Sequence, residues 1–220
     1  VGLRGTISTG FRAPSLAQAL YGQRRYTQQI IGGQLNQFPT KVFRVDSPIA
    51  RALGATPLRP EKTINYSVGV ALQPIDKLNV TIDAYQIDID DRIALTTALN
   101  GAGIDALLVQ AGLTAGVYAQ YFTNAIDTRT RGLDIVAHYP VDLGEDGTLR
   151  LGVAANFNRT KITRVRDNPS ELATLGSGRI LFDRVARGYM TNAYPKSKII
   201  LSADWAVGPF NLSLREARFG

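Results

Sequence analysis

The chain contains no cysteine, which excludes disulfides and thiolate metal sites. Its one histidine, His138, has no second histidine or cysteine to share a metal, so no metal centre is expected. No run of about 18 apolar residues occurs, so no membrane-spanning helix is expected. Nothing repeats at a solenoid period. No nucleophile elbow, phosphate-binding loop or metalloprotease motif is present. Asp88, Asp90 and Asp91 lie close together but lack the spacing of a calcium loop and any convergent base or nucleophile. They read as solvated charges where a strand ends and a loop begins. No catalytic residue and no cofactor are expected, and the chain is not read as an enzyme.

What is present is alternation. Within Leu58 to Ile93, residues Ile64, Tyr66, Val68, Val70 and Leu72 fall on one side of a strand, and Asn65, Ser67, Gly69 and Ala71 on the other. A second run follows, with Leu78, Val80, Ile82 and Ala84 alternating against Asn79, Thr81 and Asp83. The turn between them, Gln73 to Lys77, holds Pro74 and Asp76, both typical turn formers. Beyond Ala84 the alternation changes phase, and Tyr85, Ile87 and Ile89 become the apolar set. Either a bulge near Ala84 restores the facing, or the strand has left its apolar surroundings. The second is preferred, because about ten residues suffice to cross a membrane as a tilted strand.

The same period recurs along the chain. Strands are expected over about Gly2 to Phe11, Thr130 to Tyr139, Thr148 to Lys161, Ser197 to Trp205, and from Pro209 onward. The connections alternate long and short. The long ones, Leu16 to Lys62, Ala94 to Thr128 and Ile162 to Lys196, exceed ordinary loops of a compact soluble domain. One of them carries a candidate short helix, Gly103 to Ala111, stopped at Gly112. Antiparallel neighbours joined in this way put all long loops at one end and all short turns at the other. That is the asymmetry of outer-membrane barrels. Trp205, beside a short turn, suits the lower aromatic girdle. The fold expected is therefore all-β: an antiparallel membrane β-barrel fragment, about seven strands in an open curved sheet, with short periplasmic turns and long external loops. The chain begins at Val1 and stops in mid-alternation after FNLSLREARFG, so it is read as a piece of a longer protein.

Four motifs, GFRAPS (Gly10 to Ser15), LRPEKTINYSVG (Leu58 to Gly69), YQIDIDDRI (Tyr85 to Ile93) and TRTRGLDIVAHY (Thr128 to Tyr139), resemble TonB-dependent outer-membrane receptors, in order as well as in residues. The resemblance implies that residues 1–220 are part of a plugged barrel of about 22 strands, with the plug and the final strand outside them. It implies active import of a scarce, bulky nutrient, with ferric siderophores the usual cargo and cobalamin, haem or oligosaccharides as other cases. It also implies a TonB energy-coupling complex as partner, reached through an N-terminal segment, and an outer-membrane location with lipopolysaccharide around the wall. No nucleic-acid partner is implied.

Three groups of residues stand out. Arg12 and Glu61 fall at the same rim of adjacent strands and on the same face, where they are either a charge-assisted pair that would pin the register or two solvated rim charges. Arg129, Arg131, Arg159 and Lys161 share parity with the apolar faces of their strands but lie at the long-loop end. That would set them on the outer wall just above the hydrocarbon, facing lipopolysaccharide phosphates, unless they are an ordinary solvated cluster. Tyr21, Arg24, Arg25 and Tyr26 mix aromatic and cationic groups suited to an anionic ferric chelate, unless they are simply part of a solvated external loop. Other loop cations include Lys41, Arg44, Arg51, Arg59, Arg164, Arg166, Arg179, Arg184 and Arg187, and the net charge is +7. Two further functions share the alternation. One is a passive porin-like barrel. The other is a soluble all-β module binding polysaccharide or nucleic acid, which would bury its apolar faces against each other.

Overall fold

Backbone groups in an alternating run must pair with a neighbouring strand, and here the neighbours arrive antiparallel and in sequence. The computed structural model describes residues 1–175 and 180–220, with their side chains apart from those at 27, 29 and 31; Arg179 lies outside the described residues. In chain order the elements are β1 (Gly2–Arg12), α1 (Leu16–Leu20), β2 (Gln23–Ile31), β3 (Gln34–Val42), α2 (Pro48–Ala52), β4 (Glu61–Leu72), β5 (Asn79–Leu95), α3 (Ala102–Gln110), β6 (Tyr118–Gln120), β7 (Phe122–Asp142), β8 (Thr148–Val165), α4 (Ser170–Thr174), α5 (Arg184–Asn192), β9 (Ser197–Val207) and β10 (Phe210–Phe219).

Seven strands form one open sheet in the order β1-β4-β5-β7-β8-β9-β10, and β2, β3 and β6 form a separate small sheet. Each pair in the large sheet is antiparallel. Short turns at 73–78, 143–147 and 208–209 close one end, and the long segments 13–60, 96–121 and 166–196 gather at the other. Among the described residues no helix is long and apolar enough to cross a membrane, so any crossing is made by strands.

The ladder runs in register across the sheet, and parity therefore sorts side chains by face. One row reads Leu3, Val70, Ile82, Ile135, Ala155 and Ile199; the next reads Leu72, Val80, Ala137, Val153 and Leu201. These residues share one face. The described chain leaves that face uncovered: Ile7, Val68, Leu151, Val153, Phe157 and Leu201 are all exposed, Val68 at 62 %. A water-soluble sandwich would bury such a face beneath a second sheet. A contiguous apolar surface of this extent is foreign to soluble monomers.

The phase change in β5 follows from the same ladder. Its pairing with β4 is unbroken from Leu72↔Val80 to Lys62↔Asp90, and its first irregularity against β7 comes only between Ile89 and Arg92. No bulge sits at Ala84. Gln86 and Asp88 continue the row of Ile82 and Ala84, and the strand has left the apolar band.

The opposite face is polar and threaded by glycines. Arg4, Gly69 and Asp83 lie in one register row. The bare Gly69 lets the Arg4 guanidinium reach across to the Asp83 carboxylate, a path a Cβ would block at 1.9 Å from Oδ1. Tyr85 lies over Gly132 in the same manner, and Asn156 Nδ2 donates to its hydroxyl at 3.2 Å and to Asp134 Oδ1 at 2.6 Å. His138 is on this polar face beside Gly152, near the 143–147 turn. Trp205, on the apolar face across from Leu149 and Leu212, donates its indole N–H to the Asp146 carbonyl at 2.8 Å.

The dry core is elsewhere, in the long segments. Phe43, Ala50, Leu53, Leu99, Ile104, Leu108, Tyr121, Ile126, Leu172 and Phe182 pack together as one cluster. All but Ile126, which is in β7, come from the three long connections, so these fold into a cap on the sheet's long-loop end. Gly132→Ala would put a methyl group 2.3 Å from the Tyr85 ring. In the intact barrel it lowers unfolding stability by about 1–3 kcal/mol, read as an earlier loss of heat-resistant gel mobility, while Gly188→Ala, in open space within helix α5, does not lower it.

Candidate functional site

At the rim where sheet meets cap, Arg12 and Glu61 are register partners. The guanidinium grips the carboxylate through two bonds, Nε to Oε2 at 2.8 Å and Nη2 to Oε1 at 2.5 Å. The Glu61 side chain is 6 % exposed and that of Arg12 51 %. Oε1 also accepts the backbone N–H of Ile93 at 2.8 Å. One buried carboxylate thus ties β1, β4 and β5 together. GFRAPS closes the same corner: Ser15 caps α1, and Gln18 returns a bond to the Ser15 N–H.

A collar of polar groups follows around the rim, and part of it departs from the sequence expectation. Asp91, read above as a solvated charge, is a left-handed residue (φ 55°) in the β5 bulge. Its carboxylate takes Arg59 Nη2 at 3.1 Å and the Arg166 guanidinium. Its N–H donates to Asp127 Oδ1 at 2.9 Å, and Asp127 Oδ2 accepts Arg164 Nε at 2.6 Å. Asn124 Nδ2 donates to the Asp91 and Arg59 carbonyls, and Oδ1 accepts the Arg59 N–H. Asp88 is likewise held by Arg129 Nε at 2.6 Å. A carboxylate beside an irregular backbone gains guanidinium partners that strand period cannot foretell. Of the three aspartates only Asp90 is exposed, opposite Lys62.

Above the collar, Gly32 and Gly33, both at positive φ, form the two-residue turn between β2 and β3. The hairpin sets Arg24 opposite Lys41 and Tyr26 opposite Pro39. Together with Leu113 and Thr114, just beyond α3, these residues and Arg25 line a cleft of about 260 Å³. Arg25 Nη2 donates to Gln120 Oε1, and Gln120 Nε2 to the Thr96 carbonyl at 2.6 Å, which anchors the cleft wall in the cap. Lys41 lies 5.0 Å from the Phe43 ring centre. Tyr21 is apart: its hydroxyl contacts Gln23 and its ring meets Phe122 edge-on. The structure therefore brings Arg24, Arg25 and Tyr26 into one cleft without Tyr21, and adds Lys41. A signal for Lys41 was available, since a two-residue Gly-Gly loop fixes which residues face each other.

In the cap core Tyr121 is fully buried and donates to the Leu53 carbonyl at 2.8 Å. Burial raises its phenol pKa, so it remains a donor at any physiological pH. Lower on the cap, the Arg44 guanidinium bonds to Asp46 and holds that carboxyl below the usual carboxylate range.

Arg129, Arg131, Arg159 and Lys161 all lie on the apolar-face side. Arg129 opposes Lys161, Arg131 opposes Arg159, and the next row down is Leu133 opposite Phe157. All four are exposed.

With this geometry in view, the family model for the TonB dependent receptor-like β-barrel matches residues 1–220. The chain belongs to that family. No curated protein matches it. Among solved structures it is similar to the siderophore receptor PirA of Pseudomonas aeruginosa, with TM-score 0.54 and 14 % identity over 99 % of this chain and 30 % of that one. It is also similar to a mutant ferric enterobactin receptor, PfeA, of Pseudomonas aeruginosa, with TM-score 0.52 and 15 % identity over 99 % and 25 %. A third is the RagAB peptide transporter, with TM-score 0.50 and 13 % identity over 98 % and 26 %. At these identities the likeness is one of fold, and the chain spans between a quarter and a third of those structures. The family is one of transport receptors and not of enzymes, and its members are outer-membrane β-barrels.

Arg12→Ala leaves the Glu61 carboxylate buried without its cation. Because Arg12 is half exposed, the loss falls at the low end for a broken buried pair, about 2–3 kcal/mol. Urea unfolding of the intact barrel in detergent measures it. Arg12→Lys recovers only part, since the charge returns without the two-pronged geometry.

Proposed function

We propose that this chain supplies part of the wall and outer cap of an outer-membrane receptor that imports a scarce anionic nutrient, a ferric siderophore or a similar chelate, with energy delivered by the TonB complex. The plug and the remaining strands belong, in this reading, to other parts of the same receptor. The supporting observation is the pairing of an uncovered apolar face with a folded basic cap at one end of the same strands. Lipid tails would cover the face, and the cap would meet the outside medium. The cleft lined by Arg24, Arg25, Tyr26 and Lys41 offers three cations and an aromatic ring, which suit a multiply charged chelate by charge and by stacking. Two of its walls are tied into the cap core, so little ordering remains to be done on binding.

Uptake by the whole receptor tests this reading. A strain lacking the gene, starved of iron, is complemented with wild-type receptor or with the Arg24→Ala, Lys41→Ala variant and supplied with defined ferric siderophores. Wild type restores growth on at least one chelate, and only in cells with a working TonB system. The variant binds that chelate at least tenfold more weakly, the scale of one lost charge-assisted contact. Uptake that persists without TonB would mark a passive barrel. Rescue by peptides and by no chelate would move the cargo to another class.

A further inference from the structure

The four cations on the apolar side of β7 and β8 present a physical problem. Arg129 faces Lys161 and Arg131 faces Arg159 in adjacent rows of the ladder, and directly opposed like charges repel. Partial relief comes from β5. Asp88 Oδ1 accepts Arg129 Nε at 2.6 Å, and Gln86 turns its carbonyl to Arg131 Nε at 2.7 Å and its amide to Asp88 Oδ2 at 2.7 Å. That leaves one carboxylate for four cations. Among the described residues no carboxylate pairs with Arg131, Arg159 or Lys161. Elsewhere at this level the chain does neutralise itself, as in Arg164 with Asp127 and in Arg59 and Arg166 with Asp91. The excess charge is local.

Its position identifies the counter-charge. One row below the cations stand Leu133 and Phe157, and below those Ile135 and Ala155, the start of the uncovered apolar face. A ligand that satisfies both levels has an anionic head set directly on a hydrocarbon body. We propose that Arg131, Arg159 and Lys161, with Arg129 held by Asp88 as the rear wall, bind the phosphate of an outer-leaflet glycolipid, with its acyl chains lying along Leu133, Phe157 and Ile135. Arginine forks match phosphate oxygens and lysine adds a third positive group. Gln86 has a second function in this arrangement. It orients Arg131 without neutralising it, as an acidic residue there would.

The site rests on the outer-membrane placement above and is independent of the cargo. The test uses the whole receptor, extracted from outer membranes and checked for heat-resistant mobility, as wild type and as Arg159→Gln, Lys161→Gln. Both positions are exposed and neither has a carboxylate partner among the described residues. Lipid A is quantified by mass spectrometry after repeated detergent washing. Thermal midpoints are then compared in phosphatidylcholine vesicles alone, with bisphosphorylated lipid A, with dephosphorylated lipid A, and with millimolar inorganic phosphate. Wild type is expected to retain lipid A and to gain several degrees from the bisphosphorylated form only. The variant is expected to lose at least four-fifths of both effects while importing its nutrient normally. Equal retention by variant and wild type overturns the assignment. So does an equal gain from inorganic phosphate, which would make this a plain anion site, or from dephosphorylated lipid A, which would make the contact purely apolar. If the variant does not fold, the wild-type comparison of the two lipid A forms decides alone. A receptor missing from the outer-membrane fraction would refute the placement and leave nutrient binding to be judged separately.

Discussion

The side-chain period of two, carried without a slip across neighbouring strands, is the constraint on which this structure depends. In an antiparallel ladder a shift of one residue sends every side chain to the opposite face. Here the rows stay aligned from β1 to β9 over the whole apolar band. Specific contacts fix the alignment where it could fail. Arg4 and Asp83 meet only because a glycine lies between them in the row. At the far end of the same strands, Glu61 bonds to Arg12 from one neighbour and to the Ile93 N–H from the other. Slipping β1 against β4 would break both ion pairs and also place Leu3 and Ile7 among the polar residues.

The irregularities begin where the apolar band ends. Crossing a bilayer takes about nine to eleven tilted residues, yet β5, β7 and β8 have 17, 21 and 18. The surplus rises beyond the band, where Gln86, Asp88, Arg129 and Arg131 occupy the outward positions. At that height the bulge at Asp91 turns β5, and the collar of Asp91, Asn124, Asp127, Arg59, Arg164 and Arg166 fastens the long connections to the strands. The cap can then bury Tyr121, Phe182 and Leu108 in a core of its own. Long loops over an open sheet would otherwise carry many unsatisfied backbone groups or remain fully solvated. Their consolidation is what gives the basic cleft a fixed wall.

What could be read from the sequence follows from the range of the forces involved. The seven large strands and the side each apolar residue takes are local properties of period and turn chemistry, and they are visible in runs such as NYSVGVAL. The α3 helix was legible too, ending before Gly112 at positive φ. The cap was not. β6 is three residues long and exists because Thr40, Lys41 and Val42 lie alongside it in parallel, a pairing no local pattern encodes. The β2–β3 hairpin is intermediate: its Gly-Gly turn is a strong signal, but alternation in QRRYTQQII is too polar to show a buried side. Asp91 was misread because its partners, Arg59 and Arg166, are 32 and 75 positions away.

These contacts change what the net charge of +7 means. Read as composition, it suggests anionic partners in general. Placed in the fold, much of it is internal wiring. Arg4, Arg12, Arg44, Arg59, Arg129, Arg164 and Arg166 each have a carboxylate, and Arg187 donates to the Phe182 carbonyl. Among the cations without a carboxylate partner in the described residues, two sets are clustered. Arg24, Arg25 and Lys41 line a cleft in the cap, and Arg131, Arg159 and Lys161 stand on the wall above the apolar band. The two sets differ in what surrounds them. The first is walled by a tyrosine, a proline and the end of a helix, which limits size and shape. The second opens onto a flat hydrophobic surface, which limits nothing but demands an amphiphile. One excess of charge thus serves two different kinds of recognition, and neighbouring groups, more than the cations themselves, determine which.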